Sequence, residues 1–216
     1  MLSDKDINPT VALIDYGMGN LGSVAKALEK VGFKVIRTNK AEDIQKAHAI
    51  VLPGVGAFGD AMNHLRELKI VDTLKREILD RKKPFLGICL GLQLLFEKSY
   101  EFGTHQGLGI FEGEVLHFGD KVSKVPHMGW NEIHPQKEHS ILEGLQNGDF
   151  FYFVHSYYVS PKDNNIILTK TDYDDFYFTS GVAYENIVAF QFHPEKSQKK
   201  GLKLLENFKN FVLQRL

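Results

Sequence analysis

The residue in this sequence best suited to covalent chemistry is its single cysteine, Cys89. It lies in the run Gly-Ile-Cys-Leu-Gly at residues 87–91, between an apolar stretch that predicts a strand and a run that predicts a helix. A nucleophile on so sharp a turn needs glycine on both sides, because side chains at Gly87 and Gly91 would collide with neighbouring backbone. The start of the following helix favours the thiolate and offers N–H groups to an oxyanion. The pattern therefore predicts a nucleophilic Cys89 rather than one buried for packing alone.

A base for this nucleophile is predicted at the end of a late apolar strand. Residues 191–197 read Gln-Phe-His-Pro-Glu-Lys-Ser, which places His193 where a loop opens over the edge of a sheet. Glu195 follows two residues later, and in extended backbone both side chains point to the same side. The carboxylate can then orient the imidazole as the third member of a triad. A strand that simply stops at a proline gives the same pattern, so the motif alone leaves both interpretations open.

Two glycine-rich loops precede Cys89 in the chain. Residues 17–22, Gly-Met-Gly-Asn-Leu-Gly, match a dinucleotide-binding fingerprint, but residues 35–39 lack the acidic residue that would hold the ribose. We therefore expect this turn to expose Asn20 at a surface that does not bind a dinucleotide. The alternative is that the protein is a nicotinamide-dependent oxidoreductase. Residues 52–59 lack the Lys-Ser/Thr of a nucleotide P-loop. Their unhindered N–H groups at Val55 and Gly56 suit an oxyanion, with a bare tight turn as the alternative.

Predicted strands and helices alternate in the first half of the chain, and these elements must position the loops. Strands are predicted at residues 10–15, 34–37, 49–52 and 85–89, and helices at residues 21–31, 41–47, 70–80 and 90–98. Later strands are predicted at residues 115–118, 129–133, 150–160, 165–169, 176–184 and 187–192, with a closing helix at 199–213. This order predicts an α/β fold of three layers: a mainly parallel central sheet flanked by helices, with an antiparallel elaboration in the second half.

Length and composition restrict the class of function. With 216 residues, 43% hydrophobic and 25% charged, the chain fits one domain over residues 1–216. A net charge of -1 gives no basic footprint for nucleic acid, and no apolar run is long enough to span a membrane. One cysteine excludes an internal disulfide. Residues 1–9 form a polar extension unlike a secretory signal, so we expect a cytoplasmic protein, with no cofactor and no metal.

Five motifs, taken together and in order, closely resemble one family over nearly the whole chain. They are Pro-Gly-Val-Gly at 53–56, Gly-Ile-Cys-Leu-Gly-Leu-Gln at 87–93, Pro-His-Met-Gly-Trp-Asn at 126–131, Tyr-Phe-Val-His-Ser at 152–156 and Phe-Gln-Phe-His-Pro-Glu-Lys-Ser at 190–197. The family is that of the glutamine amidotransferase subunits of imidazole glycerol phosphate synthases, within the triad-type class I amidotransferases. The polar extension departs from the family, and no departure touches the triad.

The resemblance implies a reaction and a set of site residues. Cys89 would attack the side-chain amide of glutamine, His193 would protonate the leaving ammonia and then activate water, and Glu195 would orient His193. The implied oxyanion donors are Leu90 N–H and, after some rearrangement, the peptide of Val55 and Gly56. The implied substrate contacts are Gly54, Gln93, Glu101, His155, Ser156 and Tyr157.

A partner is expected on chemical grounds, since free ammonia at neutral pH is largely protonated and unreactive. In the family it is a (βα)8-barrel cyclase, joined in a heterodimer that makes imidazole glycerol phosphate and aminoimidazole carboxamide ribotide in histidine biosynthesis. The positions matching the interface and ammonia gate are Asn20, His127, Met128, Trp130, Tyr152 and Lys196. Two alternatives stay open: a paralogue that feeds another synthase, for instance one that amidates a surface sugar, and a catalytically quiet interaction subunit.

Overall fold

The computed structural model describes residues 8–216, so the predicted extension at 1–9 lies outside the described residues except for its last two. The strands are β1 Thr10–Ile14, β2 Lys34–Thr38, β3 Ala49–Leu52, β4 Phe85–Ile88, β5 Phe96–Ser99, β6 His105–Gln106, β7 Phe111–His117, β8 His127–Pro135, β9 Asp149–His155, β10 Tyr157–Pro161, β11 Ile167–Tyr173, β12 Phe176–Tyr184 and β13 Ile187–Phe190. The helices are α1 Leu21–Lys30, α2 Ala41–Lys46, α3 Phe58–Glu67, α4 Val71–Lys75, α5 Leu90–Gln93 and α6 Gln198–Leu213.

The strands form one sheet whose first part is parallel. Its order is β2-β1-β3-β4-β13-β12-β10-β7-β5-β6, and the first five strands of this order pair in parallel. Beyond β13 the pairs to β12, β10 and β7 are antiparallel. Strands β11, β8 and β9 extend from β12 as an antiparallel ribbon. The predicted parallel centre and antiparallel elaboration are confirmed.

Helices cover both faces of the parallel part, which explains why β3, β4 and β13 are apolar along their whole length. Alternate residues of β1 face opposite sides: Val11 and Leu13 join the cluster that holds α1 and α6, whereas Ala12 and Ile14 join the cluster that holds α2, α3 and α4. The predicted three layers follow from this alternation.

The register of the parallel strands brings the candidate loops together. Leu52 pairs with Gly87 and Phe190 pairs with Ile88, so β3, β4 and β13 end at the same level of the sheet. The loops that follow these strands therefore meet at one edge, together with the turn after β1. In sheets of this kind, ligands bind in such a crevice.

Two of the expected elements differ from the structure, and one helix of the structure was not expected. The predicted helix over 90–98 is wrong, because α5 ends at Gln93 and the chain continues into β5, which pairs with β7. The predicted strand over 150–160 is two strands, β9 and β10, separated at Ser156. Helix α3 was not predicted, although its buried Phe58, Ala61, Met62 and Leu65 have helical spacing.

Candidate active site

Cys89 lies on a strained turn between β4 and α5, with φ 55° and ψ −109°. Its N–H donates to Phe190 O at 2.8 Å, which ties the turn to β13. A Cβ on Gly91 would overlap the carbonyl oxygen of Leu52, and a Cβ on Gly87 would lie 2.9 Å from that of Ala189. The two glycines are therefore required by close packing, as the sequence predicts for an elbow.

The sulfur of Cys89 lies between a hydrogen-bond donor and an acceptor. Gln191 Nε2 donates to Sγ at 3.6 Å, and Gln191 is completely buried. The carbonyl oxygen of Val154 lies 4.0 Å from Sγ and can accept the proton of the thiol. The amide donor favours the thiolate, and the carbonyl favours the thiol.

His193 and Glu195 are paired directly after β13. His193 Nδ1 lies 2.7 Å from Glu195 Oε1, and both side chains are almost entirely buried. Within residues 8–216, His193 Nε2 is buried without a hydrogen-bond partner. Burial disfavours the imidazolium, but the neighbouring Cys89 thiolate, followed by Glu195, outweighs it and raises the pKa of His193 to about 10. Nδ1–H is thus held by the carboxylate, and Nε2 is the nitrogen left for proton transfer.

Residues 53–56, here called the oxyanion loop, are fixed by two hydrogen bonds. Tyr16 Oη donates to Pro53 O at 2.6 Å inside the protein, and Leu90 N–H donates to Gly54 O at 3.2 Å. Burial, with the Cys89 charge nearby, raises the pKa of Tyr16, so its hydroxyl keeps the proton it donates. In this arrangement Leu90 N–H is occupied by a carbonyl and is not free for an oxyanion.

A cavity of about 370 Å³ opens over Cys89, within the size range of small-molecule sites. The predicted residues that line it with Cys89 are Val55, Gly56, Leu90, Gln93, Glu101, His155, Ser156 and Tyr157. Gly54 lies instead in a narrow cleft beside Asn20, His193, Glu195 and Lys196. The structure therefore brings the predicted substrate contacts and the nucleophile into one cavity, with Gly54 behind them.

Two side chains of this cavity have fixed orientations. Gln93 Nε2 donates to Tyr157 O and to Gln191 Oε1, both at 3.2 Å, so its two amide hydrogens are used and its oxygen remains available. Glu101 Oε2 accepts from the Phe58 N–H at 2.9 Å, at the start of α3. The cavity thus presents acceptor oxygens, which suit a ligand that bears an ammonium group.

A buried pair of histidines supports the far wall of the cavity. His155 Nδ1 donates to Tyr157 O at 2.7 Å, and its Nε2 accepts from His127 Nδ1 at 2.9 Å. Asn131 Nδ2 donates to His127 Nε2 at 3.1 Å. Because the Tyr157 carbonyl can only accept, this chain of hydrogen bonds needs both imidazoles neutral. Burial lowers the pKa of His127 to about 4 and that of His155 to about 3.

The hairpin of β8 and β9 presents an exposed apolar face close to the site. Met128 is 61% exposed and Trp130 45% exposed, and the Trp130 ring packs edge-on against Tyr152. Lys196 Nζ lies 5.8 Å from the centre of the Tyr152 ring. His127, which the sequence analysis had placed at the interface, is different. It is 3% exposed and its side chain points inward, so it is not part of this exposed face.

Comparison with known proteins identifies the family. The sequence model described as Glutamine amidotransferase class-I matches residues 12–211. The chain belongs to this family. The amidotransferase is 63% identical over 198 residues to a protein of Aquifex aeolicus named imidazole glycerol phosphate synthase subunit HisH, covering 91% of this chain and 94% of the relative. It is 50% identical over 199 residues to HisH 1 of Campylobacter jejuni strain 81-176, covering 92% and 98% of the two chains. The resemblance seen in the five motifs is confirmed.

Solved structures show the same fold at low sequence identity. One described as a glutamine amidotransferase has a TM-score of 0.74 and 18% identity, and covers 94% of this amidotransferase and 98% of that chain. PurLQS from Thermotoga maritima has a TM-score of 0.73, also at 18% identity, and covers 97% and 99% of the two chains. These likenesses confirm the predicted fold class.

Within residues 8–216 of the amidotransferase, no cluster of three or more potential metal-ligating side chains is found. No helix in that range is long and apolar enough to cross a membrane.

Sequence reasoning missed three groups that contact the site of the amidotransferase. Gln191, the Val154 carbonyl and Tyr16 are separated from Cys89 or from the oxyanion loop by many residues. A signal existed for Gln191 alone: it is two residues before His193, so in a continuing strand its side chain points to the same side as that histidine.

Proposed function

We propose that this amidotransferase is the glutaminase subunit of an imidazole glycerol phosphate synthase. Support comes from the relatives with that name, at 63% and 50% identity over more than nine-tenths of the chain. The five motifs and the nucleophile at the elbow agree with it. The proposal includes a single domain over residues 1–216 that acts in the cytoplasm.

Three side chains are assigned to the proposed chemistry. The Cys89 thiolate attacks the side-chain carbonyl of glutamine, and a C–S bond forms as the carbonyl becomes an oxyanion. Collapse of that intermediate breaks the C–N bond, and His193 Nε2 gives its proton to the leaving ammonia. His193 then takes a proton from water, which attacks the thioester and releases glutamate and Cys89. Glu195, hydrogen-bonded to Nδ1, holds the imidazole in this orientation and stabilises its charged form.

Glutamine recognition is assigned to the cavity above Cys89. The free oxygen of Gln93 and the carboxylate of Glu101 suit the α-ammonium group. The backbone at His155, Ser156 and Tyr157 completes the proposed contacts of the cavity with the amino-acid end of the substrate. The backbone of Gly54, in the neighbouring cleft, is also assigned to substrate binding. The amide group of the side chain is then directed toward the sulfur.

The oxyanion site is proposed to form only after the oxyanion loop moves. Leu90 N–H must be released by Gly54 O before it can bind the substrate oxygen, and the peptide of Val55 and Gly56 supplies the second donor. Because the resting arrangement blocks one donor, we expect little glutaminase activity from the isolated chain. Docking of the partner supplies the free energy for this movement.

The proposed partner is a (βα)8-barrel cyclase that docks on the exposed face of the β8–β9 hairpin. Met128 and Trp130 are the apolar anchors, as expected of residues at the centre of an interface. Asn20, Tyr152 and Lys196 lie beside the catalytic groups and are assigned to the route by which ammonia leaves. His127 supports the wall behind this face instead of contacting the partner.

The observation on which the proposal rests is the meeting of Cys89, the His193–Glu195 pair and the substrate cavity at one sheet edge. Its test is Cys89→Ala in the complex with the barrel cyclase of the same organism. We expect loss of imidazole glycerol phosphate synthesis from glutamine and unchanged synthesis from ammonium salts.

Loss of both reactions would contradict this division of labour. The alternatives give different results with the unsubstituted chain. A paralogue would fail to co-purify with the cyclase and would make no product with it. An interaction subunit would bind the cyclase but would not be labelled at Cys89 by a glutamine-like electrophile.

A further inference from the structure

We propose that Gln191 is a positioning residue for the nucleophile: one amide hydrogen holds the Cys89 sulfur, and the amide oxygen orients Gln93 in the glutamine cavity. Its effect on turnover rests on the function proposed above. Its effect on the reactivity of Cys89 does not, because thiolate chemistry can be measured without glutamine.

The orientation of the Gln191 amide is determined by its contacts. Gln191 Nε2 lies 3.6 Å from Cys89 Sγ, and Oε1 lies 3.2 Å from Gln93 Nε2. Exchange of the two atoms would place two NH2 groups against each other and an oxygen against the sulfur. The backbone N–H of Gln191 donates to Ser180 O at 2.9 Å, so the residue is also fixed to β12 at its main chain.

The contact with the Cys89 sulfur does more than satisfy the hydrogen-bonding capacity of the buried Gln191 amide. A completely buried amide is costly unless its polar atoms are bonded, and an apolar side chain of the same size would avoid that cost. The bond to Cys89 strengthens when the thiol ionises, because a hydrogen bond to a charged acceptor is the stronger kind. Gln191 therefore opposes the Val154 carbonyl, which lies 4.0 Å from the sulfur and favours the protonated form.

The second contact links the nucleophile to substrate recognition. Gln93 has two amide hydrogens, one donated to Tyr157 O and one to Gln191 Oε1. Without the Gln191 oxygen, one hydrogen of Gln93 loses its partner and the amide is free to turn. The oxygen that Gln93 presents to the cavity is then no longer fixed, so glutamine should bind less tightly.

Other ionisable groups near the sulfur remain in place when Gln191 is substituted. Those that face Cys89 or its cavity are Tyr16, Glu101, His155, Tyr157, His193 and Glu195. Since none is altered in the variants, a change in the pH profile of Cys89 reports the loss of the amide donor.

The test is the rate of alkylation of the only cysteine by iodoacetamide, followed by mass spectrometry from about pH 5 to about pH 10. For Gln191→Met we expect the rate at neutral pH to fall about tenfold and the half-maximal pH to rise by about one unit, as for loss of a hydrogen bond to a charged group. Gln191→Glu should shift the profile further, because an ionised carboxylate repels the thiolate.

Two variants serve as controls. Gln136→Met makes the same change on an exposed loop and should leave the alkylation profile unchanged. Gln93→Met removes the substrate contact but keeps the donor to sulfur, so it should raise KM for glutamine and shift the profile much less than Gln191→Met. Circular dichroism and thermal unfolding establish that each variant is folded.

Equal shifts in Gln93→Met and Gln191→Met, or no shift in Gln191→Met, would overturn the proposal.

A measurement on the unsubstituted chain does not depend on the folding of any variant. The side-chain amide protons of Gln191 should shift in ¹H–¹⁵N spectra when Cys89 is alkylated, and an unchanged Gln191 signal is the contrary result. If alkylation behaves as expected but glutamine is not hydrolysed with the cyclase present, the proposed function fails and this inference stands.

Discussion

The hydroxyl of Tyr16 should restrain partner-free glutaminase activity. Tyr16→Phe removes one oxygen, and with it the buried 2.6 Å hydrogen bond to Pro53 O in the oxyanion loop. An unpaired buried carbonyl costs about 1–3 kcal/mol. For a chain of this size each kcal/mol lowers Tm by about 2–4 °C. We therefore expect Tm to fall by roughly 2–12 °C.

The same loss makes movement of the oxyanion loop easier. The remaining restraint is the 3.2 Å bond from Leu90 N–H to Gly54 O, worth about 0.5–1.5 kcal/mol. Raising the free energy of the resting loop conformation by about 1.4 kcal/mol makes the moved conformation of the oxyanion loop about tenfold more populated. Partner-free glutaminase activity of Tyr16→Phe should rise by about the same tenfold factor. Activity in the complex should change little, because docking already moves the loop.

The assay is glutamate release with and without the cyclase, alongside thermal unfolding. Tyr173→Phe is the matched control, since it also removes a tyrosine hydroxyl bonded to a backbone carbonyl, Lys124 O at 2.8 Å, but at an exposed site. It should leave partner-free activity unchanged. A Tyr16→Phe chain with the expected drop in Tm but unchanged or lower partner-free activity would contradict this role of the Tyr16 hydroxyl, because the bond would then only stabilise the fold.

Three further outcomes are expected. Gly91→Ala should prevent folding, because its Cβ overlaps the Leu52 carbonyl, and circular dichroism will show whether the variant folds. Gly22→Ala, inside α1, should raise the free energy of unfolding by about 0.5–1 kcal/mol, as measured by urea unfolding. The pKa values of His127 and His155 are lowered from 6.5 to about 4 and about 3 in the folded protein. As pH falls from 6.5 toward 3, these histidines are protonated in the unfolded chain before they are in the folded one, so the free energy of unfolding should fall over this range. His127→Gln should make that loss smaller, and an equally steep loss would disprove the assignment. Trp130→Ala should weaken binding of the cyclase by at least about 2 kcal/mol, roughly thirtyfold in Kd, as measured by calorimetry. Tyr184→Ala should not, because Tyr184 is exposed at the end of the strands where β4 and β13 begin, opposite to the end that carries Cys89.

The features that depend on near neighbours in the chain were predictable from local sequence. Gly87 and Gly91 beside Cys89 indicate a tight strand-to-helix turn, because few other backbones require that spacing. The two-residue spacing of His193 and Glu195 predicted that they pair, and they are hydrogen-bonded. The extended backbone assumed for that prediction is wrong, because Pro194–Lys196 form a 3-10 turn. Where several apolar residues are adjacent, as at Leu94, Leu95 and Phe96, periodicity does not distinguish helix from strand, and the predicted helix over 90–98 was wrong.

Which distant groups come into contact depends on the fold of the whole chain. Gln191 and Cys89 are 102 residues apart, and their contact depends on the parallel register of β4 and β13. The occupied N–H of Leu90 and the inward side chain of His127 depend in the same way on strands paired far along the chain. Spacing in a sequence fixes the side to which a residue points, whereas register and packing fix what lies on that side.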